Sequence, residues 1–353
     1  MINLLPPLIV ALIVSLVATP LTIFLAKRYK LVDDPKKHKH PAIIHKKPIP
    51  RAGGLPIFVA ILIAMIVFLP LSNLSFAIIL AGLIVVVIGI LDDKYDLSPY
   101  IRFVANIVCA GIVVFSGVVV PYITNPAGGI LHFAIYSISF GSITFDFSIP
   151  ALLAVVWIVW VMNMLNWSKG VDGQMPGVAA VSAIVIGIAA LRFPQINSMN
   201  IYGAQLSFIV AGAAIGFLFY NFYPAKIFPG YSATILGFMI GVLSIISGVK
   251  LATAILVMGV PTVDAVITIL RRILSKRSPF WHDKGHLHHL FLDLGLSQRS
   301  IAFFYWIMSL LLGIFALTLS SKGKIFAIIL VVAFVSAVIL FLKYLLRENA
   351  RTE

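Results

Sequence analysis

The sequence predicts an all-α polytopic membrane protein with about 11 transmembrane helices. Of its 353 residues, 61% are hydrophobic and only 11% are charged, whereas soluble domains carry about 25% charged residues. The mean hydropathy of +1.08 excludes an ordinary soluble or a disordered chain. The apolar residues also fall into runs of about 17–25, the length of a helix that crosses roughly 30 Å of hydrocarbon. The single cysteine, Cys109, lies in such a run and excludes a disulfide scaffold.

Eleven apolar runs follow one another along the chain. They cover residues 4–26, 53–70, 76–91, 100–121, 149–166, 176–192, 204–220, 231–249, 250–270, 300–320 and 324–345. The first run has no basic region before it and no small-residue cleavage site, and Lys27, Arg28 and Lys30 follow it directly. We therefore expect a retained membrane anchor rather than a signal peptide.

The distribution of charge predicts the orientation of these spans. With the N-terminus outside, the inner segments contain 22 of the Lys and Arg residues and the outer segments contain 4. Such an excess is typical of cytoplasmic loops, so the C-terminus is also expected in the cytoplasm. Of the 12 acidic residues, only Asp146 falls on the outer side. The active face is therefore predicted to be cytoplasmic. The net charge of +14 is attributed to interaction with a membrane and not with a nucleic acid.

The long outer segment 122–148 contains no Lys or Arg. From His132 to Phe147, apolar and small polar residues alternate around Phe140-Gly141. This alternation predicts a small extracytoplasmic β-hairpin near 131–148. We interpret residues 1–353 as a single integral-membrane domain. Its predicted cytoplasmic active face consists of the inner loops 27–52, 92–99, 166–176, 221–231 and 271–299.

The first inner loop is basic and ends in Arg51-Ala52-Gly53-Gly54 at the entrance of a span. Glycines let backbone N–H groups approach a phosphate closely, and a guanidinium adds a bidentate contact. One interpretation is therefore a phosphate site at Arg51 and the two glycines. The alternative is a basic stretch attracted to anionic lipid, at about 1 kcal/mol for each charge.

The second inner loop holds three acids, Asp92, Asp93 and Asp96, and Arg102 lies one turn into the next span. Adjacent carboxylates at a membrane exit repel each other and are costly to bury. A hard cation or a shared proton relieves that repulsion, and Mg²⁺ prefers one or two carboxylates completed by waters and substrate phosphates. The alternative is a solvated helix end in which Asp96 and Ser98 cap the next helix, although a cap needs only one acid.

The third and fourth inner loops are rich in amide and glycine residues. Asn163 and Asn166 precede the turn Gly170-Val171-Asp172-Gly173, and this combination of amide groups and close backbone access suits the edge of a nucleobase. The alternative is an ordinary turn between two spans. The fourth loop, Tyr220 to Tyr231, contains proline and glycine that are common in membrane proteins, so it is a weak signal alone.

The fifth inner loop packs four histidines and Asp283 into the eight residues 282–289. This density suggests zinc at first sight. The loop has no cysteine, however, and no glutamate in the position that zinc proteases use. Clustered imidazoles beside Lys and Arg can equally bind phosphate, and singly solvated histidines are the plainer alternative.

Taken together and in this order, the five stretches resemble the polyprenyl-phosphate N-acetylhexosamine-1-phosphate transferases. The likeness runs from Asp33 to about Gly295. The His-Leu-His-His form at 286–289 is more similar to the bacterial N-acetylglucosamine-1-phosphate branch than to the phospho-N-acetylmuramoyl-pentapeptide branch. The resemblance implies transfer of a sugar 1-phosphate from a UDP-sugar to a membrane polyprenyl phosphate, with release of UMP, to initiate a lipid-linked envelope glycan. It also implies Mg²⁺ as cofactor and a location in the inner or plasma membrane, and it leaves a homodimer open.

The resemblance also implies roles for residues of the five loops. Asp92 and Asp93 match the catalytic pair, one of which would deprotonate the lipid phosphate while the pair organises Mg²⁺. The residues expected at the diphosphate are His286, His288 and His289, with Asp283 as their acidic companion. The remaining matches to substrate-binding positions are Asp34, His45 and Arg51 in the first loop, Asn166, Gly170, Val171 and Asp172 at the uridine, and Asn221 in the cleft.

Two positions depart from the family pattern. Relatives have Asp-Gly-x-Asp-Gly in the third loop, where Lys169 replaces the first aspartate, and Gly-Asp-x-Gly-Ser in the fourth, where Tyr231 replaces a metal ligand. Because an unperturbed phenol with a pKa of about 10 is neutral at pH 7, Asp92, Asp93 and Asp172 remain the expected metal ligands and Mg²⁺ is expected to bind weakly. Lys169 is expected to bind substrate phosphate as a point charge and to take over part of the metal's work.

Two other functions stay open from the sequence. A catalytically impaired relative would bind lipid phosphate or nucleotide without turnover, and the two replacements keep that alternative alive. An ion-coupled transporter would place ionisable residues near mid-span within paired inverted halves. Asp264 is the one acid drawn into a predicted span, near its inner end, and the sequence shows no inverted repeat. Transport is therefore the weaker alternative.

Overall fold

The computed structural model describes residues 3–36, 45, 47–125, 129–140, 143–193, 195–249, 251–279 and 285–352. The helices in these ranges are α1 (Leu5–Arg28), α2 (Gly54–Phe68), α3 (Asn73–Tyr95), α4 (Pro99–Phe115), α5 (Ile149–Trp167), α6 (Gln174–Ala190), α7 (Ser198–Asn221), α8 (Thr234–Ile246), α9 (Leu251–Val257), α10 (Gly259–Leu274), α11 (Leu287–Asp293), α12 (Gln298–Thr318) and α13 (Ser321–Thr352). The strands are β1 (Val32–Asp33), β2 (Ile49–Pro50), β3 (Tyr122–Thr124), β4 (Ile130–His132), β5 (Ile135–Phe140) and β6 (Ile143–Ser148). The described chain is therefore mostly helical, as predicted.

Helix occurs in each of the eleven predicted apolar runs. Among the described helices, α1, α3, α5, α7, α12 and α13 are long and apolar enough to cross a membrane. The helices α2, α4, α6 and α8 are also apolar but only 13 to 17 residues long. The structure therefore has the helices of a polytopic membrane protein, while the count of about 11 spans and their orientation stay predictions.

The predicted run 250–270 contains two helices instead of one continuous helix. Its two parts, α9 and α10, meet at an angle of 86°. Pro261 lies in the first turn of α10, where the N–H that proline lacks is not needed. In a continuous helix its ring would clash with the carbonyl group of Val257, the residue at which α9 ends. The apolar run therefore folds as two helices, and Asp264 lies on the second.

Helix α1 has one face for lipid and one for protein. Leu5, Ile9, Ile13 and Val17 recur every four residues on one side of the helix and are 47–71% exposed. An apolar stripe of this length is favourable against lipid and unfavourable in water. On the buried side, Ser15 donates a 2.8 Å hydrogen bond to the carbonyl oxygen of Ala213 in α7. Helix α1 thus packs between α7 and the lipid.

Helix α8 lies in the interior of the helix bundle. All but one of its 13 residues are buried, which is typical of a helix surrounded by other helices. It contacts α5 and α7, and residues 222–233 connect it to α7. The fourth predicted inner loop is therefore attached at both ends to the most enclosed part of the fold.

The two strand pairs between α4 and α5 agree with the sequence prediction in part. β5 and β6 pair antiparallel from Ile135 with Ser148 to Phe140 with Ile143, as expected for the hairpin near 131–148. Its tip at 141–142 lies outside the described residues. The neighbouring β3 and β4, which pair Tyr122 with His132, were not predicted.

Candidate active site

One cavity of about 530 Å³ gathers residues from all five predicted inner loops. The predicted site residues on its wall are His45, Arg51, Asp92, Asp93, Lys169, Gly170, Val171, Asp172, Asn221, Tyr231 and His289. Their positions run from 45 to 289, so the packing of the helices, and not proximity in sequence, brings them together.

A second cavity, of about 370 Å³, adjoins the first. The two cavities share Arg51, Asp92, Asp93 and Asp96 as wall residues. The remaining walls of the smaller cavity are formed by Lys27, Lys30, Val32, Asp34 and Lys94. The predicted site residue Asp34 therefore faces the smaller cavity, and the two adjacent carboxylates stand between the cavities.

Three of the predicted site residues that the structure describes do not line either cavity. Asn166, His286 and His288 are off both walls, and Asp283 lies outside the described residues. The side-chain oxygen of Asn166 is nevertheless buried, with no hydrogen-bond partner in the described part of the chain.

The two adjacent aspartates at the end of α3 make different contacts. Asp93 accepts a 2.7 Å hydrogen bond from the backbone N–H of Tyr231 on Oδ1 and a 3.1 Å bond from the hydroxyl of Ser232 on Oδ2. Asp92 pairs with Arg102, whose Nη1 lies 3.3 Å from Oδ1 and 3.4 Å from Oδ2. Because both oxygens of Asp93 hold the 230–232 turn, Asp92 is the carboxylate with more freedom to accept a proton from a substrate.

Close approach between α3 and the 230–232 turn requires glycine at position 89. A Cβ atom on Gly89 would lie 2.2 Å from the Cα atom of Ser232 and 2.5 Å from its backbone nitrogen. Gly89 stands one turn before Asp93 on the same helix. The absence of a side chain there lets the carboxylate of Asp93 reach the turn.

Lys169 enters the cavity beside this turn. Its Nζ donates a 3.1 Å hydrogen bond to the carbonyl oxygen of Gly230 and lies 5.8 Å from the centre of the Tyr231 ring. The guanidinium of Arg102 lies 5.2 Å from the same ring centre. Burial lowers the pKa of Lys169 to about 8, and the carboxylates of Asp93 and Asp92 counteract part of this effect. The ammonium form therefore still predominates at pH 7.

The first loop is closed by the pairing of β1 with β2, which sets Asp33 next to Arg51. The Arg51 guanidinium donates a hydrogen bond to Asp33, and Nε2 of His45 lies 4.0 Å from the same carboxylate. The backbone N–H of Gly53 is bound by the carbonyl of Phe228 and that of Gly54 by the hydroxyl of Ser232. The interpretation that the two glycines hold a phosphate is therefore wrong, whereas Arg51 does line the cavity.

The third and fourth loops are tied to each other by hydrogen bonds. Asp172 accepts a 3.0 Å bond from the N–H of Ala225, and burial raises the pKa of this carboxyl. The side-chain oxygen of Asn221 accepts from the N–H of Gly173, and its amide nitrogen donates to the carbonyl of Ile227. The polar atoms of Asn221 thus hold the third and fourth loops together at the cavity wall.

The histidines of the fifth loop are held by an acid on α10. Nδ1 of His286 donates a 2.9 Å hydrogen bond to Asp264, which also accepts one from the N–H of Leu287. His288 stacks on His286 at 5.6 Å and lies behind Gly170, since a Cβ atom there would be 1.8 Å from its Nε2. Burial, with the neighbouring imidazoles, holds the pKa of His288 well below its usual range. Of the histidines of this loop that the structure describes, His289 reaches the cavity wall.

The donor atoms present do not fit the magnesium site that the family resemblance implies. Among the described residues, no three His, Cys, Asp or Glu side chains are grouped to hold a metal ion. Both oxygens of Asp93 accept hydrogen bonds, one from the backbone N–H of Tyr231 and one from the hydroxyl of Ser232. At the position of the missing aspartate, the phenol of Tyr231 accepts a 3.1 Å hydrogen bond from Asn106, and the nearby cations Lys169 and Arg102 oppose another positive charge.

Two residues that were not predicted from the sequence, Asn106 and Gln298, hold predicted site residues in place. Asn106 binds the Tyr231 hydroxyl, and Gln298 accepts a 3.1 Å hydrogen bond from the N–H of Asp172. The sequence did carry a signal for Asn106, which is a lone amide within the apolar run 100–121. A polar side chain at such a depth needs a partner. Gln298 gave no comparable signal.

The apolar helices, with the cavity that they enclose between the five loops, define a membrane-embedded protein. The sequence model of glycosyl transferase family 4 matches residues 75–248. A relative from Bacillus subtilis, described as a probable undecaprenyl-phosphate N-acetylglucosaminyl 1-phosphate transferase, is 31% identical over 96% of this chain and 92% of its own length. The chain therefore belongs to glycosyl transferase family 4, which confirms the resemblance and its transferase class.

Two further relatives come from the two branches that the sequence analysis compared. A decaprenyl-phosphate N-acetylglucosaminephosphotransferase of Mycolicibacterium smegmatis is 29% identical over 96% of this chain and 88% of its own length. A phospho-N-acetylmuramoyl-pentapeptide-transferase of Borrelia turicatae is 27% identical over 88% of this chain and 93% of its own length. The greater similarity to the N-acetylglucosamine enzymes agrees with the branch that the His-Leu-His-His form indicated.

Proposed function

We propose that this transferase moves an N-acetylhexosamine 1-phosphate from a UDP-sugar to a membrane polyprenyl phosphate and releases UMP. The relatives named above carry N-acetylglucosamine and polyprenyl phosphate in their names. The observation that supports the proposal most directly is the pair of adjoining cavities, which share Asp92 and Asp93 and are lined by Arg51, Arg102 and Lys169. A diphosphate and a phosphate monoester need such a concentration of fixed cations, because positioning and neutralisation of charge dominate phosphoryl transfer.

In the proposed reaction an oxygen of the lipid phosphate attacks the sugar-bearing β-phosphorus of the UDP-sugar. A new phosphorus–oxygen bond forms there, the bond from this phosphorus to the bridging oxygen breaks, and UMP leaves with that electron pair. The proton of the lipid phosphate passes to the carboxylate of Asp92 and from there to UMP or water. The cations of Arg102 and Lys169 face the charge that develops on the leaving group.

The arrangement of the cavities supports separate approaches for the two substrates. The smaller cavity lies at the end of α1, a helix with a lipid-facing stripe, and carries Lys27, Lys30 and Lys94. It suits a phosphate that arrives at the membrane surface on a lipid chain. The larger cavity contains the turn around Gly170 and Asp172 and suits the nucleotide sugar.

The proposed activity is tested with the purified protein in lipid nanodiscs, polyprenyl phosphate and a panel of UDP-sugars, with UMP as the measured product. We expect UMP release with UDP-N-acetylhexosamines and none with UDP-glucose, because the site must recognise the acetamido group of the donor. Omission of polyprenyl phosphate is the control and should abolish the product. No UMP with any donor, in a protein that still binds UDP-sugar, would identify a catalytically impaired relative.

We further propose that the cavities open on the cytoplasmic side. Single cysteines in a Cys109→Ala background test this on intact cells with a membrane-impermeant maleimide. Ile130→Cys, at a side chain of β4 that is 56% exposed, should react directly. Lys276→Cys, at an exposed position after α10, should react only after permeabilisation, as the positive-inside distribution predicts. The opposite labelling pattern would reverse the orientation.

A further inference from the structure

Two cations lie beside Tyr231, the position at which the family pattern given above has an aspartate. Arg102 lies over the ring of Tyr231 at 5.2 Å and Lys169 at 5.8 Å, measured to the ring centre. Lys169 is anchored by the carbonyl oxygen of Gly230, and Arg102 by the carboxylate of Asp92. The side chain of Tyr231 is buried against Asn106. Contacts within the protein therefore hold the two positive charges of Lys169 and Arg102 beside Tyr231.

The two replacements act in the same direction. Lys169 stands where the family pattern has an aspartate, and this replacement makes the local charge more positive by two units. Tyr231 also replaces an aspartate, and this replacement removes one negative charge. Together they remove two carboxylates that would attract a divalent cation and add an ammonium group that repels it. A diphosphate, in contrast, gains a partner from the same change.

We propose that Lys169, together with Arg102, supplies the positive charge that neutralises the diphosphate of the sugar nucleotide, so that transfer does not require a bound divalent metal ion. The inference rests on the proposed function and specifies how its site handles charge. Weak Mg²⁺ binding, as the sequence indicates, is compatible with it, but metal is then not needed for turnover. A lysine with a merely structural role would leave the metal requirement of the family unchanged.

The test compares the full-length protein with three variants in nanodiscs. Lys169→Met removes the charge and keeps the length of the side chain, and the double variant Lys169→Asp with Tyr231→Asp restores both family carboxylates. Lys322→Met removes a charge at an exposed position that lines neither cavity and serves as control. Transfer is measured in EDTA and in Mg²⁺, and binding of Mn²⁺ alone is measured by electron paramagnetic resonance.

We expect equal turnover of the parent protein in EDTA and in Mg²⁺, and no stoichiometric binding of Mn²⁺. Lys169→Met should lose about 10²-fold in turnover in EDTA, the scale of one lost electrostatic contact to the transition state. The double variant should bind Mn²⁺ and lose its remaining turnover in EDTA. A parent protein that binds Mn²⁺ stoichiometrically, or that EDTA inactivates, would overturn the inference, as would a Lys169→Met variant that behaves like Lys322→Met.

Binding of inorganic pyrophosphate in EDTA, measured by calorimetry, separates this inference from the proposed function. If the parent protein turns over no UDP-sugar but binds pyrophosphate, and Lys169→Met loses that binding, the proposed transfer fails and the role of Lys169 stands. If Lys169→Met and the parent bind pyrophosphate equally, the role of Lys169 fails whatever the turnover shows.

Discussion

Turnover is expected to fall by about 10²-fold or more when Asp92 is replaced by asparagine. Asparagine preserves the shape of the side chain but cannot take the proton of the lipid phosphate, and it removes the negative partner of Arg102. Because the hydrogen bonds to the 230–232 turn belong to Asp93 and not to Asp92, the turn should stay in place. The measurement is turnover with saturating substrates, together with the melting temperature of the purified variant.

Asp93→Ala provides the comparison for Asp92→Asn. It removes both acceptors from the 230–232 turn and leaves the buried N–H of Tyr231 without its carboxylate partner, at a cost of about 1–3 kcal/mol. We therefore expect Asp93→Ala to lower both the turnover and the melting temperature, and Asp92→Asn to lower mainly the turnover. Near-normal turnover in Asp92→Asn would remove this residue from the proposed proton transfer.

The second large effect is expected from Gly89→Ala, a change of one methyl group. In an ordinary helix interior this substitution stabilises by roughly 0.5–1 kcal/mol. Here the new Cβ atom would lie 2.2 Å from the backbone of Ser232, so α3 and the turn must separate, and overpacking of this kind costs about 1–3 kcal/mol. Since a misplacement of about 1 Å at a site can lower turnover by 10²-fold, we expect loss of activity together with a lower melting temperature.

Gly111→Ala is the matched control for Gly89→Ala. Gly111 also lies inside an apolar helix, α4, but a Cβ atom there would meet no atom within 4 Å. This variant should keep its turnover and should melt at the same temperature as the parent or higher. Equal behaviour of the two variants would show that the contact between α3 and the 230–232 turn does not position the site.

The fold class was predictable because the apolar runs are long and the polar residues between them are few. The break between α9 and α10 was predictable in principle, since Pro261 is visible in the sequence. The run is nevertheless apolar on both sides of the proline, and hydropathy alone does not separate one span from two helices. The length of α8, 13 residues, was similarly hidden because its flanks are apolar loops.

It was predictable that the five loops form one site, whereas the roles of the individual residues within them were not predictable. Asp92 and Asp93 are adjacent and chemically identical, and only the contacts of Asp93 with Tyr231 and Ser232 reveal which of them holds the turn. Gly89 and Gly111 look alike in the sequence, because the close approach depends on a turn more than a hundred positions away. The position of His288 behind the cavity wall likewise depends on its close contact with Gly170, which is distant in sequence. These assignments depend on tertiary contacts, which hydrophobic periodicity does not report.

Transfer to lipid differs from hydrolysis in the destination of the β-phosphorus of the donor. The decisive measurement uses UDP-N-acetylglucosamine radiolabelled at that phosphorus, polyprenyl phosphate and the protein in nanodiscs, followed by extraction into organic solvent. We predict that the label enters the lipid fraction as a sugar-linked pyrophosphate while unlabelled UMP is released, and that Asp92→Asn suppresses both products together. Label that appears in the aqueous phase as sugar 1-phosphate would show hydrolysis instead of transfer, and label that stays in the UDP-sugar would contradict the proposed activity.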